Sequence, residues 1–113
     1  MKVTNHIFHA SAARTATGNG SAVDVTSDKA VMYIDVSAAS GTSPTLDAKI
    51  QGYDPLSASW FDTGDAFAQL TTTGSERVEI AALPDARLRV AYTIGGTTPS
   101  FTFTVGMTTK ESM

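Results

Sequence analysis

Apolar residues alternate with polar ones through most of this chain, and that period of two constrains the fold more than any other feature. Successive side chains of a strand point to opposite faces, so alternation predicts strands with one buried face and one wet face. The pattern is clear over residues 30–38, 46–50, 88–94 and 101–105. Helical periodicity is scarce, and the sequence therefore predicts an all-β protein.

Turn-forming residues separate the alternating segments at short intervals. Gly, Pro, Asn, Asp and Ser cluster at 18–20, 27–28, 41–44, 54–55, 64–65, 73–75, 84–85 and 95–99. Short strands with turn signals about every 8–12 residues are typical of β-sandwiches and β-barrels. Because one face of each strand is polar, the sheet should be antiparallel. We expect an antiparallel two-sheet β-sandwich of seven to nine short strands, with the jelly roll as one candidate topology.

The alternation also predicts which side chains form the core. The inward positions of the four clearest segments are Ala30, Met32, Ile34, Val36 and Ala38; Leu46, Ala48 and Ile50; Leu88, Val90, Tyr92 and Ile94; and Phe101, Phe103 and Val105.

Two stretches read almost alike: "GTSPTLDAKI" at residues 41–50 and "GTTPSFTFTV" at residues 96–105. Glycine can adopt a positive φ, and proline fixes the backbone and lacks an N–H, so both stretches predict a hairpin turn leading into a core strand. The strands before the two turns do not match in parity. One of them should therefore hold an extra residue, or a bulge, near residues 38–40.

Composition excludes several classes of partner and of catalytic site. The net charge is −3 and the cationic residues are scattered singly, so binding to the phosphate backbone of a nucleic acid is not expected. The chain has no cysteine, which excludes disulfides, thiolate catalysis and cysteine zinc sites. The N-terminus lacks the apolar core of a signal peptide, and no apolar run approaches the roughly 20 residues of a membrane span. We expect a soluble protein with no nucleic-acid or membrane partner.

One motif resembles an enzyme signature. Asp62-Thr63-Gly64 matches the triplet of aspartic proteases, in which two carboxylates share a proton across a dimer. In that family, however, the triplet lies near the start of the chain, and here it lies past the middle. A strand that ends in a turn is the simpler interpretation, and we expect no catalytic residue and no enzyme activity; a dimeric aspartic protease that uses Asp62 is the third candidate function, after the alternative given below.

Metal and cofactor sites are not expected either. His6 and His9 are three residues apart, which on a strand puts them on opposite faces, and they are interpreted as surface or subunit-contact residues. Asp54, Asp62 and Asp65 have no EF-hand-like spacing. An acidic surface loop accounts for them.

Aromatic residues flank the turn at Asp54-Pro55. Tyr53, Trp60 and Phe61 lie beside carboxylates, and the C–H faces of sugars stack on such rings. A carbohydrate-binding β-sandwich that uses Tyr53 and Trp60 is therefore an alternative function. The competing interpretation is that Trp60 closes the core and Tyr53 packs beneath the loop.

Three segments together resemble small proteins of tailed bacteriophages. They are "YIDVSAASGTSPTLDAKIQGYDP" (33–55), "SWFDTGDAF" (59–67) and "LRVAYTIGGTTPSFTFTVGM" (88–107), within a region of resemblance that covers 30–107. The most specific parts are residues 41–46 and 95–103. The sequence departs from the family pattern at "YDPLSAS" (53–59), where a loop richer in Gly and Asp is expected.

The resemblance implies a virion structural protein, and most specifically a head decoration (cement) protein. Such proteins are small, β-rich and trimeric, and they lie on the shell formed by the major capsid protein. It implies a non-enzymatic protein without cofactors that is made in the bacterial cytoplasm and carried on the capsid surface. The implied partners are the major capsid protein and further copies of this chain.

The chain is expected to form one domain over residues 21–107, with a C-terminal tail at 108–113. Residues 1–20 are weakly patterned. They are interpreted either as an arm that becomes ordered on contact with the shell or as the first strand. The candidate contact residues of the arm are Lys2, His6, Phe8, His9 and Arg14.

Overall fold

A computed structural model describes residues 2–25, 29–80 and 86–111. These residues form seven β-strands: β1 (Lys2–Arg14), β2 (Gly18–Asn19), β3 (Val23–Val25), β4 (Lys29–Asp54), β5 (Ser59–Ala66), β6 (Gly74–Ile80) and β7 (Ala86–Glu111). All strand pairs are antiparallel. The predicted all-β, antiparallel fold is confirmed.

Two strands of 26 residues each, β4 and β7, form the frame of the molecule. They pair with each other along their whole length, from Lys29 opposite Lys110 to Gly52 opposite Leu88. The remaining strands extend this pair sideways. β1, β2 and β3 pair with β7, whereas β5 and β6 pair with β4.

Both long strands fold back on themselves at their midpoints. Tyr92 and Phe103 belong to the same strand, and an extended chain would separate them by roughly 36 Å at about 3.3 Å per residue. Their ring centroids are 5.1 Å apart. The single seven-stranded sheet is therefore bent into two layers that face each other across one core, which is a β-sandwich.

Each layer contains half of each long strand. Layer one consists of β1, β6 and residues 29–40 and 100–111 of the long strands, and layer two consists of β2, β3, β5 and residues 45–54 and 86–95. Backbone hydrogen bonds outside the strand ladders hold two of the connecting segments against the sheet. The amides of Gly20 and Ser21 donate to Val90 and Phe8, and Leu46 and Leu70 exchange a pair of bonds.

The repeated stretches form the bend, and the prediction that they are hairpin turns is wrong. Gly41 and Gly96 have φ values of 117° and 111° and lie in the middle of β4 and β7, where the two strands pair with each other. The ladder is irregular there, between Ser40 and Thr45. The same Gly-Thr-x-Pro chemistry that favours a turn has instead produced two facing bulges.

The predicted core is largely confirmed. The inward residues of both long strands are buried in one cluster, to which Phe8, Phe67, Ile80 and Met107 contribute, and Ile94 packs against it partly buried. Ala38 is the exception, because it is exposed. The register shifts between Val36 and Ala38, which confirms the expected extra residue and turns Ala38 outward while Ala39 packs on the core.

The ends of the chain join the sheet. Residues 2–14 form β1 and pair with β7, which corresponds to the first-strand alternative rather than to a free arm. Residues 108–111, expected in a C-terminal tail, are the end of β7, and Ser112 and Met113 lie outside the described residues.

Candidate functional site

The outer face of layer two carries a cross-strand network of aromatic, cationic and polar side chains, here called the arginine–aromatic face. It is built from outward positions on four neighbouring strands. Its members are Asp24 on β3, Arg87 and Arg89 on β7, Lys49, Gln51 and Tyr53 on β4, and Trp60 and Asp62 on β5.

The aromatic part of this face is formed by a directly paired cross-strand couple. Tyr53 is opposite Trp60, and their rings meet edge to face with centroids 5.2 Å apart. The Arg89 guanidinium carbon lies 4.4 Å from the Trp60 ring centroid, and that of Arg87 lies 5.6 Å from the Tyr53 ring centroid. Each ring therefore takes part in a cation–π contact.

Hydrogen bonds fix the polar part of the face. Arg89 Nε donates to Gln51 Oε1 at 2.8 Å, and Gln51 Nε2 donates to Asp62 Oδ1 at 3.0 Å. Lys49 Nζ contacts the other oxygen of Asp62 at 3.1 Å. At the β3 side, Arg87 Nε donates to Asp24 Oδ1 at 2.9 Å. The donors and acceptors on this surface are thus held in place before any partner arrives.

The electrostatics follow from these bonds. The hydrogen bond from Gln51, followed by that from Lys49, lowers the pKa of the Asp62 carboxyl below its usual value. The hydrogen bond to Asp24 raises the pKa of Arg87. Asp62 is therefore a carboxylate with a cation and an amide as neighbours, and this differs from a shared-proton pair of carboxylates.

Hydrogen bonds to the Asp54 carboxylate stabilise the turn between β4 and β5. Its two oxygens accept hydrogen bonds from the Leu56 amide at 2.9 Å and from the Ser57 hydroxyl at 2.9 Å, and these bonds lower the pKa of the carboxyl. Leu56 is 98% exposed at the tip of this turn. The segment at which the sequence departs from the phage resemblance is thus a hydrogen-bonded turn at one end of the arginine–aromatic face.

The structure brings together only part of what the sequence singled out. Tyr53 and Trp60 share one surface, whereas Phe61 points to the opposite side of β5 and covers Gly52. Asp62 belongs to the face, but Asp54 is used by its turn, and the amide of Asp65 bonds to the Thr63 hydroxyl. Within the described ranges no three His, Cys, Asp or Glu residues are grouped as metal ligands.

Sequence reasoning missed the arginines and Gln51 as members of a site. The alternation in "RLRV" places Arg87 and Arg89 on the outward face, but nothing local indicates that this face adjoins Trp60. That neighbourhood depends on the register of three strands. The cross-strand pairs of Gln51 with Arg89 and of Gln51 with Asp62 supply it.

The candidate arm residues have different environments. Phe8 and His9 are buried within the chain, so the environment of His9 differs from the surface or subunit-contact position expected from the sequence. His6 is half-buried, and Arg14 is exposed and donates to His9. The backbone of Lys2 pairs with Glu111, and its side chain lies outside the described part of the structure.

The described residues contain no helix that is long and apolar enough to cross a membrane.

No protein family model matches the chain, and neither does any curated protein sequence. Solved structures do match. The xylanase Xyn10B of Clostridium thermocellum, solved as CBM22-1–GH10 modules complexed with xylohexaose, matches with a TM-score of 0.54 at 11% identity, over 81% of this chain and 19% of that chain.

A structure of infectious bursal disease virus, strain Gx, matches with a TM-score of 0.56 at 9% identity, over 96% of this chain and 32% of that one. The SPBc2 prophage-derived protein YomS matches with a TM-score of 0.48 at 16% identity, over 96% and 92%. This chain thus spans about a fifth of the xylanase chain and about a third of the virus chain. It spans more than nine-tenths of YomS. The structural neighbours of this chain include viral and prophage proteins, and at these identities the likeness is one of fold.

Proposed function

We propose that this protein is a non-enzymatic virion structural protein that decorates a phage capsid by binding the major capsid protein. The arginine–aromatic face is the observation that carries the proposal. Trp, Tyr and Arg are the residue types enriched at the energetic centres of protein interfaces, and here all three lie side by side on an open sheet surface. Their hydrogen bonds reduce the entropy that binding would cost.

Two further observations support this function. The segments that carry the phage resemblance, residues 41–46 and 95–103, form the bend on which the whole fold depends. A similar fold also occurs in about a third of the matched chain of the infectious bursal disease virus structure. A decoration protein needs contact area and many copies rather than chemistry, and a rigid β-sandwich supplies that area. Self-association, with the trimer favoured, belongs to the same proposal.

Binding to undecorated phage heads tests the proposal. The purified protein should co-sediment with heads that lack it, and purified particles should contain hundreds of copies, as expected for many-copy coverage of a shell. A dozen copies or fewer would move the protein to the neck or tail. Complete absence from particles would overturn the proposal. Sedimentation velocity of the free protein measures whether it is a trimer.

Carbohydrate binding at the same face is the second candidate. Tyr53 and Trp60 lie together on an exposed strand pair, and the Asp62 carboxylate and the Lys49 ammonium beside them offer an acceptor and donors for sugar hydroxyls. Part of the xylanase chain that was solved in complex with xylohexaose, 19% of its length, has a similar fold. Trp60→Ala should then abolish binding to an oligosaccharide array while far-UV circular dichroism stays unchanged. Wild-type protein that binds no glycan but does bind heads would exclude this candidate.

A further inference from the structure

We propose that β1 is a pH-gated edge strand, held in the sheet by neutral His9 and opened when His9 takes up a proton. The inference does not depend on the proposed function. It starts from an irregularity in β1: Phe8 and His9 are consecutive and both buried, although side chains of a regular strand alternate between faces. Register shifts on either side of His9 make this possible.

Aromatic contacts place His9 between the two layers. Its ring stacks on Phe103 in layer one, with centroids 4.1 Å apart and planes 8° apart. The same ring meets Tyr92 in layer two edge to face at 5.5 Å. The neighbouring Phe8 carbonyl accepts a hydrogen bond from the Ser21 amide. His9 is thus the point at which β1 is attached to both halves of the sandwich.

The two ring nitrogens of His9 have partners that define its protonation state. Arg14 Nε lies 3.0 Å from Nε2, and a guanidinium can only donate, so Nε2 must be the unprotonated acceptor. Nδ1 lies 3.1 Å from the carbonyl oxygen of Phe103, which can only accept, so Nδ1 carries the proton. The observed geometry therefore requires the neutral Nδ1–H tautomer of His9.

A second proton cannot be accommodated in this geometry. It would place an Nε2–H against the Arg14 N–H, and two cations would stand within hydrogen-bonding distance of each other. The groups of β7 that the described residues place against His9 are uncharged: the rings of Tyr92 and Phe103, the Phe103 carbonyl oxygen, and Val105, its partner in the strand pair. No carboxylate of the described residues forms an ion pair with it. The pKa of His9 is lowered, and burial is the largest cause; the hydrogen bond to the Phe103 carbonyl opposes it, and the nearby Arg14 charge lowers the pKa further.

The direction of the pH effect follows. In the opened strand His9 has its ordinary pKa of about 6.5, whereas in the closed strand the pKa is lower. The open form therefore binds more protons below pH about 6.5, and its population grows as the pH falls until the closed-state pKa is reached. β1 is the element that yields, because among the described strands it pairs with β7 alone, while β7 keeps its ladder with β4. Opening uncovers the β7 edge, which is a template for another strand.

Amide hydrogen exchange measures this opening directly. Exchange rates of β1 and β6 amides, corrected for intrinsic pH dependence, are compared at pH 7.5, 6.0 and 5.0. β6 is the matched control, since it is the other edge strand of layer one and contains no histidine. The opening constant of β1 should rise by up to tenfold per pH unit below about 6.5, and that of β6 should stay level. Equal pH dependence in the two strands would overturn the proposal.

Two variants and one control assign the effect. His9→Gln keeps a donor and an acceptor without titrating and should remove the pH dependence of β1, whereas His6→Gln should leave it intact. If His9→Gln does not fold, Arg14→Gln provides the test, because it removes the neighbouring charge and should raise the His9 pKa observed by NMR. A His9 that titrates at its ordinary pKa in the folded wild type, or an unchanged pKa in Arg14→Gln, would contradict the mechanism.

Discussion

Gly41 and Gly96 occupy equivalent positions in the two long strands, and each lies against the backbone of the other's Gly-Thr-x-Pro segment. A Cβ on Gly41 would stand 2.7 Å from the Thr98 carbonyl oxygen and 2.9 Å from Pro99 Cα. A Cβ on Gly96 would stand at the same distances from the Ser43 oxygen and Pro44 Cα. The repeat in the sequence is thus a local two-fold relationship at the bend, and neither glycine has room for a side chain.

Gly41→Ala and Gly96→Ala should each lower the free energy of unfolding by at least about 2 kcal/mol, because a positive φ and a backbone clash act together. Urea denaturation measures the change. Gly64→Ala is the matched control: φ is 95° there, but no atom of the described residues lies within 4 Å of the added Cβ, so only the conformational cost of about 1 kcal/mol is expected. Equal losses at all three positions would show that close packing at the bend contributes nothing.

Thr98→Asn should stabilise the protein by roughly 0.5–1 kcal/mol. Thr98 has a φ of 51°, which is unfavourable for a β-branched residue and tolerated by asparagine. Thr97→Asn is the control, because Thr97 is the neighbouring threonine, is paired with Thr42 and does not have a positive φ, so it should gain nothing. The measurement is the midpoint temperature of thermal unfolding, Tm, of each variant. A Tm of Thr98→Asn below that of Thr97→Asn would contradict the strain argument.

Arg89 and Trp60 should be energetically coupled. A double-mutant cycle with Arg89→Ala and Trp60→Ala should give a coupling free energy of about 0.5–1 kcal/mol, as expected for a partly exposed cation–π pair. Arg77 lies on β6 in the other layer, so a cycle of Arg77→Ala with Trp60→Ala should give none. Denaturant unfolding of the variants provides all the required values.

The pKa of Asp62 should rise when its donors are removed. Gln51→Ala and Lys49→Met should each raise it, and the effect of Lys49→Met should shrink at high salt because charges are screened. Gln69→Ala, which removes a bond to Asp47, should leave Asp62 unchanged. Carboxyl NMR titrations supply the readout.

The same shift predicts how stability depends on pH. The folded-state pKa of Asp62 lies below its unfolded value of about 3.9, so the contribution of this carboxylate is complete above that value. It is lost as the pH falls through the folded-state pKa. Unfolding of Asp62→Asn should therefore show a smaller loss of stability between pH 5 and pH 2 than that of the wild type.

The sequence predicts the fold class and most of the core because both depend on local alternation, which Ile34, Val90 and Phe103 follow. It does not predict the pairing of β4 with β7, because Gly-Thr-x-Pro favours a hairpin turn and a mid-strand bulge alike. Only contacts between residues distant in the chain decide between them. The sequence does not predict the burial of His9 for a related reason, since two consecutive buried residues require a bulge without a local signature. The sequence does indicate Tyr53 and Trp60, but the positions of their arginine partners depend on strand register.

The bend also has a mechanical consequence. Because β4 and β7 each continue from one layer into the other, the two outer faces are joined by uninterrupted backbone as well as by packed side chains. A force that pulls one face away from the other would load two covalent strands and their shared ladder, and would not simply peel one sheet from a second. When one outer face is bound and force is applied to the other, the two layers of such a sandwich therefore stay together.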